Sequence, residues 1–178
     1  FTVAIIAYPF AMYFGIQQLS TRTLGYGLLA VAALRLAVAL YAALFRAKPL
    51  QISALLPAIA LLLVAVLAIV HGAKSTLYLY PILVNFSMLI IFVLSLRWPP
   101  TIIERIARLQ EPMLDDFGVR YTRRVTQIWC GFFLANGAVS GWTAMLGNEK
   151  IWALYNGLIS YLLMGLLLGG EWLVRQRV

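Results

Sequence analysis

One cysteine, one histidine and six acidic residues are all this 178-residue chain offers toward the usual chemistry of enzyme and metal sites. A lone Cys130 inside an apolar run excludes a disulfide scaffold and gives no reading of redox compartment. His71, the single histidine, stands in a break between apolar runs and excludes two-histidine haem ligation and histidine-cluster metal sites. Cys130 has no histidine near it in the sequence to activate it as a nucleophile. There are no paired carboxylates inside apolar runs, no phosphate loop, no HExxH, no low-complexity tract and no convincing internal repeat. No cofactor, metal or catalytic constellation is therefore expected.

What is there is apolar. The chain is 63% hydrophobic and 11% charged, with a mean hydropathy of +0.90. Soluble domains are about 45–50% apolar and about 25% charged, and a fold of this length could not hide the excess in a core. The expectation is an all-α polytopic membrane helix bundle forming a single domain. Crossing about 30 Å of hydrocarbon takes about 20 helical residues, and six runs come near that length: 2–17, 24–45, 52–70, 77–96, 125–146 and 151–174. The first ends in Gln17-Gln18 without a small-residue cleavage pattern, so no cleavable signal peptide is expected. Short polar breaks between runs make neighbouring helices antiparallel.

The formal charge of +8 suggests nucleic acid only in a soluble protein. Here the positives follow topology. With the N-terminus inside, the inner segments hold Arg46, Lys48, Arg97, Arg105, Arg108, Arg120, Arg123, Arg124, Arg175 and Arg177, and the outer ones only Arg22, Lys74 and Lys150. That positive-inside bias places both termini in the cytoplasm. Trp98, Trp129 and Trp172 fall near inner ends and Trp142 and Trp152 near outer ends, where indoles favour the headgroup level.

The long cytoplasmic segment, 97–124, carries the clearest local signals. Pro99-Pro100 ends a helix. Thr101-Ile102-Ile103-Glu104 reads as a capping box opening a short amphipathic helix in the inner interface, with Ile102, Ile103, Ile106 and Leu109 on one face and Glu104, Arg105 and Arg108 on the other. Asp115-Asp116 caps a further helix containing Arg120, Arg123 and Arg124. Arg105, Arg108, Arg120, Arg123 and Arg124 are either a positive-inside anchor or a docking surface for an acidic partner or anionic lipid headgroups.

Polar residues inside the spans are costly and call for partners. Arg35 lies near the centre of the second run and should face the bundle, with Asn85, Asn136, Tyr80, carbonyls freed by Pro81 or an anionic ligand beside it. The set Arg35, Tyr80, Asn85 and Asn136 is either a register-fixing network or an intramembrane ligand site. Glu171 is expected to pair with Arg123 or Arg124 at the inner end. Gly137-x-x-x-Gly141 and Gly165-x-x-x-Gly169 suggest close packing of the last two spans against each other.

Ala7-Tyr8-Pro9, Tyr80-Pro81-Ile82-Leu83-Val84-Asn85, Pro99-Pro100-Thr101-Ile102-Ile103-Glu104-Arg105, Ala107-Arg108-Leu109-Gln110-Glu111-Pro112, Val119 through Trp129 and Trp152-Ala153-Leu154-Tyr155-Asn156-Gly157 form a series covering nearly the whole chain. It resembles an uncharacterised family of bacterial inner-membrane proteins whose members are typically encoded among genes for aryl polyene pigments and related fatty-acid-synthase-like products. Gln127 through Phe133, Asn136-Gly137 and Trp152 through Asn156 are similar, more distantly, to the intracellular septation protein A family. The resemblance implies a multi-pass bacterial inner-membrane protein working in an acyl-lipid or aryl-polyene pathway. It would be a non-enzymatic accessory that holds a lipidic intermediate or docks acyl carrier protein or other membrane subunits. The alternatives are a small transporter or flippase subunit with a midplane site, alone or as an oligomer, and an envelope scaffold.

Overall fold

Apolar runs separated by polar breaks form helices throughout, and the described residues contain no strand. The computed structural model describes residues 19–45 and 52–175, so the expected first span, 2–17, lies outside them. In chain order the helices are α1 (Thr21–Phe45), α2 (Ile52–His71), α3 (Leu79–Arg97), α4 (Ile102–Ala107), α5 (Asp116–Met145), α6 (Glu149–Leu154) and α7 (Ser160–Arg175). A 3-10 turn, Lys74–Tyr78, leads into α3, and a π turn, Tyr155–Ile159, joins α6 to α7.

The local chemistry explains the boundaries. The Ser20 hydroxyl accepts the Thr23 amide and satisfies a first-turn donor of α1. His71 is followed by Gly72 and the end of α5 by Gly147, both at φ +64°, where a side chain would be strained. Asn148 then opens α6 by accepting the Lys150 and Ile151 amides. Thr101 and Glu104 form the expected capping box, and Asp115 accepts the Gly118 amide to start α5. Pro81 falls in the first turn of α3, where a missing N–H removes no helical bond, so it does not break that helix.

Three helical stretches are long and apolar enough to cross a membrane: Thr21–Leu44, Ser75–Arg97 and Glu149–Arg175. The apolar stretch of α2, Leu55–His71, is shorter. The expected fifth span falls within α5, a 30-residue helix that starts earlier, at Asp116, and interleaves apolar with polar side chains. Its buried residues are Thr122, Val125, Thr126, Trp129, Phe133, Asn136, Ser140 and Thr143. Their three-and-four spacing defines one seam, which packs along α3. Thr122, Thr126, Asn136, Ser140 and Thr143 of α5 thus point into protein.

α1 and α2 pack through small residues. Ala32, Ala58, Val64, Ala65 and Ala68 are fully buried, and a Cβ added at Gly25 would come 2.8 Å from Ile69 Cγ1 and 3.2 Å from the Ala65 carbonyl. The glycine spacing farther along is used differently from expectation. Gly137 faces Asn85 of α3, with an added Cβ 3.2 Å from Asn85 Cβ, and Gly141 faces Ile82. Gly165 and Gly169 meet nothing within 4 Å. Small residues permit close approach without naming the neighbour, and here α5 spends its pair on α3.

Two of the five tryptophans are core residues rather than headgroup anchors. Trp152 is 2% exposed and packs on Tyr78 at 4.7 Å between ring centroids. Trp129 is buried among Phe92, Phe132 and Phe133. Trp98, Trp142 and Trp172 remain exposed near helix ends.

Candidate functional site

A chain of hydrogen bonds crosses from α3 through α5 to the π turn. Asn85 donates from Nδ2 to the Pro81 carbonyl at 2.8 Å, and Asn136 donates from Nδ2 to Asn85 Oδ1 at 3.0 Å. The Tyr155 hydroxyl donates to Asn136 Oδ1 at 2.9 Å. Beside it, the Ser140 hydroxyl lies 2.6 Å from Asn156 Oδ1 and 2.7 Å from the Asn136 carbonyl. Asn156 donates to Thr143 Oγ1 and the Trp152 carbonyl. Hydroxyls and carboxamides buried away from water are stable only when paired in this way.

Next to this network lies a cavity of about 410 Å³, a volume within the range of small-molecule sites. It is lined by α3, α5 and α7: α3 and α5 pack closely along their lengths, and α7 meets α5 through side chains, with Met164 and Leu167 against the Trp129 cluster and the Tyr121 hydroxyl on the Glu171 carbonyl. Tyr80, Asn85, Asn136, Asn156 and Ser160 line one end. Met88, Phe92, Trp129, Phe133 and Met164 form an apolar body, and Ile103 and Ile106 of α4 close the other end. Phe92 meets Phe133 edge-on at 5.1 Å, so the body is walled by interlocked rings. α4 is held in place by the Ile102 amide donating to Ser95 Oγ at 3.2 Å and by its capping box.

The expected ligand set divides. Tyr80, Asn85 and Asn136 come together on the cavity wall. Arg35 does not line it. It is exposed on α1, although it continues the face of Leu28 and Ala32, and makes no hydrogen bond or ion pair among the described residues. Among the described residues Arg35 therefore does not meet Asn85 or Asn136, since a shared depth does not make residues on different helices neighbours.

At the inner end the arginines also divide. Arg108 binds Glu104 Oε1 through Nε at 3.0 Å and Nη2 at 2.8 Å, and its Nη1 reaches the Pro112 carbonyl. Glu104 was expected on the solvated face; instead it is buried, because the capping box turns it inward and Arg108 covers it. Arg105 donates to the Pro100 carbonyl and Arg123 to the Leu96 carbonyl. Arg120 and Arg124, one turn apart on α5, are exposed and make no hydrogen bond or ion pair among the described residues. Glu171 pairs with Arg175 at 3.8 Å rather than with Arg123 or Arg124, since the i,i+4 neighbour on its own helix is closer to hand. The Tyr121 hydroxyl donates to the Glu171 carbonyl at 3.4 Å. Burial, then the Glu171 carboxylate, holds that phenol above its ordinary pKa, with Arg175 pulling the other way.

Ser140, Thr143, Tyr155, Asn156 and Ser160 were not expected at the site. Asn136, Ser140 and Thr143 fall at i, i+4 and i+7, a polar stripe within an apolar run that could have revealed three of the network's members. Nothing in the local sequence signals that Tyr155 reaches across to Asn136. Among the described residues no group of three His, Cys, Asp or Glu is placed to hold a metal ion. Compared with known proteins, the chain matches no family model, no curated protein and no solved structure.

Proposed function

We propose that this chain is a non-enzymatic accessory protein of a bacterial inner membrane, spanning it about six times with both termini inside, that holds the chain of an acyl-lipid or aryl-polyene intermediate and docks an acidic partner at its inner surface. One observation carries this reading. A largely apolar cavity of about 410 Å³ with a neutral hydrogen-bonding end is closed by α4, a helix that itself carries Arg105 and Arg108. Such a space suits a flexible hydrocarbon or polyene chain. The neighbouring positive surface suits the acidic protein or headgroup that would deliver it. Arg120 and Arg124 are the arginines best suited to docking, because Arg105, Arg108 and Arg123 are already engaged within the fold.

Purification in a mild detergent followed by native mass spectrometry tests the cavity. The expected result is a retained chain amphiphile that is lost in Met164→Trp, where the indole fills the space. A folded protein that retains no such molecule and takes none up on titration overturns the reading. Docking is tested separately with Arg120→Glu/Arg124→Glu, which should weaken binding of an acyl carrier protein by at least ~10-fold. Unchanged binding removes the docking role.

A further inference from the structure

The polar end of the cavity holds more hydrogen-bond donors than the fold uses. The Pro81 carbonyl can only accept, so the Asn85 atom 2.8 Å away is the amide nitrogen. Asn85 Oδ1 must then accept from Asn136, and Asn136 Oδ1 from the Tyr155 hydroxyl. The orientation of both carboxamides is thus set by a backbone carbonyl. Each carboxamide nitrogen carries two hydrogens, and each is seen using one. One N–H of Asn85 and one of Asn136 therefore remain without a partner among the described residues, although the two side chains are only 8% and 6% exposed. Tyr80, on the same wall, makes no hydrogen bond there either. Asn156 differs: both its N–H groups and its oxygen are engaged.

Buried donors without acceptors are unfavourable, and no carboxylate lines the cavity. An acceptor brought by the occupant would satisfy them. Asn85 also lies far from the arginine-bearing inner surface, about 18 Å along α3 from Arg97 at 1.5 Å per residue. A lipid with its polar group at that surface would present a terminal methyl to these donors.

We propose that the occupant is a single-chain amphiphile bearing an oxygen acceptor, a hydroxyl or carbonyl, at the end of its chain remote from the inner surface, held by the free amide hydrogens of Asn85 and Asn136 together with the Tyr80 hydroxyl. The proposal rests on the chain-binding reading above and adds the chemistry of the far end.

The test is a competition, read by native mass spectrometry of the detergent-solubilised full chain, between a saturated medium-chain fatty acid and its ω-hydroxy derivative of equal length. The ω-hydroxy acid should win by ~10-fold, the worth of one well-made hydrogen bond. Asn85→Leu should lose the preference between the two acids, whatever it does to the binding of both. Tyr80→Phe, which removes a hydroxyl that bonds nothing in the fold, should reduce the preference to ~3-fold and guards against misfolding of the first variant. Equal binding of the two acids by the natural chain overturns the proposal and leaves chain binding standing. Uptake of neither acid overturns both.

Discussion

The α1/α2 hairpin and the α3/α5/α7 region solve the same problem by opposite means. Lipid is as apolar as leucine, so helices in a membrane gain little from burying hydrophobic faces on one another and depend on close packing or hydrogen bonds. The first hairpin uses close packing: Gly25 against Ala65 and Ala68, with Ala32 and Ala58 fully buried nearby. The second region uses carboxamides and hydroxyls, with Asn85, Asn136, Ser140 and Asn156 buried and bonded to one another. Backbones that touch leave no space between them. Side chains that reach across a gap can hold helices together while a cavity stays open beside them, and in the second region a cavity lies beside the hydrogen-bond network.

Breaking the first device should have the largest effect. Gly25→Leu forces a branched side chain into a space bounded by the Ala65 carbonyl and Ile69. It should cost about 3 kcal/mol, measured as a fall in thermal stability in detergent micelles, without removing a chain from the cavity. Asn136→Leu attacks the second device. It leaves Asn85 Oδ1 and the Tyr155 hydroxyl without their partner and should cost about 1–2 kcal/mol, given that interhelical hydrogen bonds in membranes average about 0.6 kcal/mol each. Here chain retention should fall as well. If both variants lowered retention equally, the division of labour between the regions would be wrong.

How much of this was legible in the sequence depended on whether a signal acts locally or in three dimensions. The capping box at Thr101-Glu104 and the Asp115 cap were readable because each involves atoms three residues apart. The meeting of Asn85 with Asn136 followed from depth, since two carboxamides at similar height in apolar helices have few other partners. Arg35 did not join them among the described residues: it is exposed on α1, because a shared depth does not make helices neighbours. Trp129 and Trp152, expected at the headgroup level, are buried instead, and their burial depends on Phe92 and Tyr78 on other segments as well as on Phe133 one turn along α5. The cavity itself could not be read, because it depends on how α3, α4, α5 and α7 are arranged, which no run of residues encodes locally.

A smaller effect probes the cavity floor. Thr101→Val removes the hydroxyl that accepts the Glu104 amide at 3.3 Å and half of the capping box. The loss should be about 1 kcal/mol, seen as faster hydrogen exchange in Ile103 through Arg105. Because Ile103 and Ile106 close the cavity, chain dissociation should quicken in the same variant even though no lining residue has changed.

The smallest effect separates the glycines. Gly137 cannot take a Cβ without crowding Asn85, whereas Gly165 and Gly169 have open space around them. If α7 stood against α5 through its two glycines, alanine at both positions would push the helices apart and destabilise the fold. With open space at both positions, the only consequence is local: alanine restricts the unfolded backbone and favours helix over glycine by up to about 1 kcal/mol per site. Gly165→Ala/Gly169→Ala should therefore melt slightly higher than the natural chain in detergent and retain its bound chain. A melting point lowered by several degrees would place those glycines in a helix contact and close the gap on which the cavity depends.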